Sequence, residues 1–205
     1  MKTQLHKQRT LNPAIPLVWL GLAVWGTIVM MSDSTRPGMA ASPPAKWPLA
    51  SKLPCPSQRP ALLMFVHPHC AFSKASISQL SWLMSHCPGT VDAHVLFLCP
   101  SGRPTNWVQS DLWLRASAIP GVNVHRDDNG CETRLFRAET SGQVAFYGAD
   151  GRLRFQGGLT SSGGQLGDDP GCAVLLALIS HQPSKRTQTP VFGCRLFPPD
   201  LAVKK

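Results

Sequence analysis

Ala61-Leu62-Leu63-Met64-Phe65-Val66 is followed at once by His67-Pro68-His69-Cys70-Ala71-Phe72-Ser73, and then by Lys74 to about Cys87, where apolar residues recur at helical spacing. An unbroken apolar run ended by a proline-containing turn reads as a buried strand, and the recurrence after it as an amphipathic helix. Cys70 therefore lies between the end of a strand and the start of a helix. Unpaired backbone N–H groups and the positive end of the helix dipole there favour thiolate over thiol. A buried, inert residue is the common fate of a cysteine, but this order of strand, proline, cysteine and helix marks Cys70 as reactive. Three positions on stands Ser73, so the motif is C-x-x-S. A hydroxyl cannot expel a mixed disulfide, which makes Cys70 a monothiol nucleophile unless a distant cysteine assists. Ser73 is placed to donate a hydrogen bond to the thiolate, and His67 and His69, when protonated, lower its pKa further.

The amino terminus sets the compartment. Lys2, Lys7 and Arg9 precede Ala14 to Met31, a stretch with no charged side chain that is long enough to span a bilayer. Trp19, Trp25 and the flanking prolines leave it no polar face, unlike a core helix. Residues 1–13 are read as cytoplasmic, 14–31 as a single-pass anchor and the remainder as periplasmic or otherwise extracytoplasmic. Gly38-Met39-Ala40-Ala41 has the small residues of a cleavage site, but the apolar run exceeds a signal h-region, so the anchor is read as uncleaved. Residues 32–60, rich in Pro, Ser and Ala, read as a tether. Of the 20 Lys and Arg, 17 lie from residue 32 onward against all 11 Asp and Glu, a net +6. They are scattered and not blocked, which describes a solvated surface and gives no support to nucleic-acid binding.

Residues 61–182 carry the elements of one domain, and residues 183–205 form a tail. Val91 to Cys99 alternates into a strand, Trp107 to Ile119 has helical spacing, Val122 to Arg126 is a short strand, and Asp127 or Asp128 caps a helix running to about Ala138. Gln143 to Tyr147 and Arg152 to Gly157 flank Asp150-Gly151, a strong hairpin signal. Gly171 to His181 is a last apolar helix with Asp168 and Asp169 as candidate caps. The string βαβαβαββα is an α/β three-layer sandwich with an N-terminal transmembrane helix.

These residues carry a resemblance. The strand leading to a cysteine at a helix start, with this element order, resembles the thioredoxin-like superfamily over roughly residues 55–182. His67-Pro68-His69-Cys70, Thr140-Ser141-Gly142, Gly151 to Thr160, Gly167-Asp168 and Val191-Phe192-Gly193-Cys194 look like the membrane-anchored thioredoxin-like proteins labelled RedB. The likeness implies an envelope-facing redox domain and places Thr140, Ser141 and Gly142 opposite the nucleophile as binding residues. The chain departs from the pattern at Phe72, where a second cysteine is expected, at Gly163 and Gln165, where Arg and His are common, and at Ser141-Gly142, where thioredoxins present a cis-proline.

Seven cysteines remain to be placed. Cys87, Cys99 and Cys172 read as buried packing, and Cys131 falls on a charged helix. Cys55 and Cys194 flank the domain and are free to reach Cys70 or each other, with Cys194 the candidate resolving thiol and a structural disulfide its competing role. The function this composes is monothiol thiol–disulfide exchange through Cys70, with a protein thiol or disulfide, or glutathione, as partner. Two other readings stand beside it. One is a non-catalytic thioredoxin-like interaction domain. The other is a copper- or zinc-binding redox accessory protein using His67, His69 and Cys70 with His181 or Cys194, although no further paired cysteines supply soft ligands. No metal and no cofactor are assigned. The sequence has no phosphate loop, no diagnostic Ser-His-Asp spacing and no repeat, and Gly157-Gly158 and Gly163-Gly164 read as flexible loop.

Overall fold

A computed structural model describes residues 18–27, 37–38, 42–161, 169–182 and 184–197. Residues 1–36 and 37–205 form two separate units. In the first, residues 18–27 are helical, with Trp19, Leu22 and Trp25 exposed. Among the described residues no helix is long and apolar enough to cross a membrane, and the rest of the expected span 14–31 lies outside them, as do Gly163, Gln165, Gly167 and Asp168.

The second unit is built on a five-stranded mixed sheet. In chain order its elements are β1 (Ala61–Val66), α1 (Ser73–His86), β2 (Asp92–Cys99), a 3-10 turn (Thr105–Val108), α2 (Asp111–Ser117), β3 (Val122–Asp128), α3 (Cys131–Leu135), β4 (Gln143–Tyr147), β5 (Leu153–Gly158) and α4 (Pro170–Ile179). The strand order is β3-β2-β1-β4-β5. β1, β2 and β3 are parallel, while β4 runs antiparallel to both β1 and β5. β1 is central and buried along its whole length, which is why it reads as a continuous apolar run and not an alternating one.

Period-two alternation divides the side chains between two cores. Leu62, Met64 and Val66 join Val95, Phe97, Val144, Phe146 and Phe155 beneath Ile77, Leu80 and Leu83 of α1 and Cys172 and Leu175 of α4. Leu63, Phe65, Leu96, Leu98, Ala145 and Tyr147 face the other way, onto Phe136, Trp47, Leu53, Leu196 and Phe197. Two of the residues covering this second face come from 42–60, within the stretch read as tether. The Trp47 ring meets Phe136 and Tyr147 edge-on at 5.0 and 5.2 Å, and the Trp47 backbone N–H donates to the Gly151 carbonyl at 2.8 Å. Prolines and serines gave that segment no periodicity, because it is held by single side chains and not by a repeating face.

Two elements differ from their sequence reading. The helix expected over Trp107 to Ile119 is a 3-10 turn and a separate α2, because Ser110 stops the first and caps the second by accepting the Trp113 N–H at 3.4 Å. Asp169 immediately precedes α4 but does not cap it. Its carboxylate accepts from the Ser161 N–H at 2.6 Å and the Gln79 amide at 2.8 Å, tying α1 to the loop before α4. Asp127 acts as expected at the start of α3, accepting from the Glu132 and Thr133 N–H groups at 2.9 and 2.8 Å.

Candidate functional site

β1 ends at Val66, and the chain turns through His67-Pro68-His69 so that Cys70 lies three residues before α1, its N–H donating to the His67 carbonyl at 3.1 Å. Cys70 is 1% exposed. Its cover is the carboxyl-terminal tail. Cys194 is exposed, and its Sγ lies 2.8 Å from the Cys70 Sγ. This is short for unbonded sulfurs and longer than the ~2.05 Å of a disulfide; both are free thiols. The Cys194 N–H also points at the Cys70 sulfur, at 3.4 Å.

The tail reaches this position by main-chain pairing. Residues 187–190 lie against β5, where the Gln156 N–H donates to the Thr187 carbonyl at 3.0 Å and the Gly158 N–H to the Pro190 carbonyl at 3.1 Å. The chain then crosses to the segment before β4. There the Ser141 N–H donates to the Cys194 carbonyl and the Leu196 N–H to the Glu139 carbonyl, both at 2.8 Å, and Thr140 and Arg195 form an antiparallel bridge. Gly193 is required in this crossing, since a Cβ there would overlap the Ser141 carbonyl oxygen. Beyond it Leu196 and Phe197 are buried, the latter under the Arg134 guanidinium at 4.0 Å.

Ser73 and Ser141 support the sulfur from the other side. The His67 N–H donates to the Ser141 Oγ at 2.7 Å, and the Ser141 and Ser73 hydroxyls are 2.7 Å apart. Ser73 also hydrogen-bonds the Cys70 sulfur. With Ser73 donating to sulfur, its oxygen accepts from Ser141, and each hydroxyl both gives and receives one bond. Gly142 closes the loop at φ 88°, a conformation open to glycine, and its N–H donates to the Phe65 carbonyl at 2.8 Å. No peptide bond among the described residues is cis.

Burial alone pushes the Cys70 thiol up, but bonds from the Cys194 thiol, Ser73 and both residues' backbone N–H groups outweigh it, and the net shift is down. The Cys194 thiol moves the other way. Burial, its bond to Cys70 and the charge on Cys70 push it up to about 12. Of the two sulfurs, Cys70 is the one on which the surroundings favour negative charge.

His67 plays a different part from the one its position suggested. The His67 pKa is lowered by burial and by His69, so it is neutral near pH 7 and does not help to ionise Cys70. Its Nδ1 accepts the His69 N–H at 3.3 Å, and both rings pack against Trp107, at centroid distances of 5.6 and 4.8 Å. Trp107, with the Arg103 guanidinium 5.5 Å from its ring, is a site-rim residue that sequence reading assigned to a helix. A tryptophan three residues beyond the Pro100–Pro104 loop that ends β2 was the available signal. Among the described residues no group of three or more His, Cys, Asp and Glu is placed to hold a metal ion.

The remaining cysteines lie apart. Cys87, Cys99 and Cys172 are buried, with burial pushing Cys172 up to about 12. Cys55 is exposed and lies beside Gly151 of the β4–β5 hairpin. Tyr147, at that hairpin, pairs with Ala61, so Cys55 is at the opposite end of β1 from Cys70.

No protein-family model and no curated protein sequence matches the chain. Solved structures do. An uncharacterised conserved protein of Geobacillus kaustophilus matches at TM-score 0.56 and 17% identity, over 80% of this chain and 94% of that one. A hypothetical protein of Sinorhizobium meliloti 1021 matches at TM-score 0.54 and 16% identity, over 78% and 93%. A secreted Mycobacterium tuberculosis disulfide oxidoreductase homologous to E. coli DsbE is also similar, at TM-score 0.44 and 17% identity, over 62% and 84%. At these identities the likeness is one of fold.

Proposed function

We propose that this chain is a thioredoxin-like thiol–disulfide exchange protein similar to the RedB-like membrane proteins, with Cys70 and Cys194 as its working pair and residues 14–31 holding it to the extracytoplasmic side of a membrane. The observation that carries the reading is the 2.8 Å separation of the two sulfurs, one on a buried cysteine and the other on an exposed one. A C-x-x-S site lacks a resolving thiol in its own helix, and a tail thiol restores the pair that exchange requires. The Ser73–Ser141 chain supports the same reading, because it leads from the His67 backbone N–H to the Cys70 sulfur. The exposed apolar side chains of residues 18–27 are consistent with a lipid-facing segment.

Equilibration of the full-length chain in glutathione redox buffers tests this, with peptide mapping after an acid quench. The expected result is a Cys70–Cys194 disulfide with a definable midpoint potential, lost in Cys70→Ser and Cys194→Ser and unchanged in Cys55→Ser. Equal exchange rates in wild type and Cys70→Ser would return the domain to a binding role.

A further inference from the structure

The two sulfurs differ in access, and access decides which of them a partner meets. Cys70 is 1% exposed beneath the tail. The main-chain groups beside it, the Ser141 N–H and the Glu139 carbonyl, are already paired with Cys194 and Leu196. An incoming peptide therefore has no free strand edge there on which to lay a cysteine. The tail is held on both flanks, by pairing of residues 187–190 with β5 on one side and by burial of Leu196 and Phe197 on the other. Cys194, between these anchors, is the exposed cysteine of the pair.

Resting on the exchange reading above, we propose that partners enter through Cys194 and that the Cys70–Cys194 disulfide acts as an oxidant of exposed dithiols. A substrate thiolate attacks the Cys194 Sγ, a substrate–Cys194 bond forms, and the Cys194–Cys70 bond breaks with its electron pair leaving on Cys70. The second substrate thiolate then attacks the first substrate sulfur, closing the substrate disulfide and expelling Cys194, which takes up a proton. The substrate loses two electrons and the protein gains them. The end state is the pair of free cysteines found in the structure, with the Cys194 backbone N–H and Ser73 placed to stabilise negative charge on the Cys70 sulfur. A stabilised leaving thiolate makes its disulfide more oxidising. The substrate class is a flexible dithiol that reaches the surface without strand pairing. The roles are the reverse of those suggested by Cys70's position at the helix start: the helix-start sulfur is the leaving group, and the tail sulfur is the one attacked.

The experiment locates the first mixed disulfide. Full-length protein, oxidised and then exposed to limiting reduced glutathione, is quenched in acid and mapped by peptide mass spectrometry. Glutathione is expected on Cys194 in at least ten-fold excess over Cys70. Phe197→Ala, which loosens the tail without touching either sulfur, is expected to move label towards Cys70. Preferential labelling of Cys70 in the wild type overturns the proposal while leaving the exchange reading intact. Failure of any Cys70–Cys194 disulfide to form overturns both.

Discussion

Ser73 stands one hydrogen bond from the Cys70 sulfur and one from Ser141, and so controls how much thiolate the site holds. Ser73→Ala removes a donor to the charged form, and the Cys70 pKa is expected to rise. Alkylation rate against pH, with Cys194→Ser in both backgrounds to isolate one thiol, checks it; an unmoved curve would assign Ser73 to packing alone. His94 offers a second test at this scale. It is 5% exposed, its Nε2 has no partner, and its Nδ1 lies 3.0 Å from the His125 ring. Burial first, then repulsion from His125, with Asp92 opposing, lowers its pKa from 6.5 to about 4. Between those values the unfolded chain binds the proton and the folded chain does not, so stability falls as pH drops from about 6.5 towards 4. His94→Leu is expected to weaken that dependence. Urea midpoints of both proteins at pH 7 and pH 5 measure it, and parallel losses would clear His94.

The crossing of the tail over the loop before β4 turns on one position, Gly193. Gly193→Ala places a methyl against the Ser141 carbonyl oxygen and is expected to lift the tail, so that Cys70 alkylates faster and less Cys70–Cys194 disulfide forms. Unchanged accessibility of Cys70 would show that the backbone absorbs the methyl. The β1–Cys70–α1 unit was legible in the sequence because its signals are local: an apolar run buried on both faces, a proline turn and helical spacing. The β4–β5 hairpin was legible for the same reason. The split at Ser110 was not, since apolar spacing continues through it and a cap competes with that pattern only once the chain is folded. Asp169 was misread because its partners, Gln79 and Ser161, are recruited by tertiary packing. The contact of Cys194 with Cys70 spans 124 positions and is made by backbone pairing, which any side chain permits; only Gly193 and the apolar Leu196-Phe197 leave a trace of it.

On the scale of the molecule, the proposed topology places three positive charges before the apolar span and the mixed-sheet domain beyond it. Protease added to intact spheroplasts is expected to digest residues 60–205, and their protection until the membrane is opened would reverse the topology. The tail that covers Cys70 also has a consequence in time. A chain made from its amino terminus at ~5–20 residues per second presents Cys70 about 6–25 s before Cys194 exists. During that interval the growing chain holds Cys55 and gains Cys87, Cys99, Cys131 and Cys172, but no lid. Until the ribosome reaches codon 194, any oxidant that meets the newborn polypeptide finds only wrong partners for Cys70.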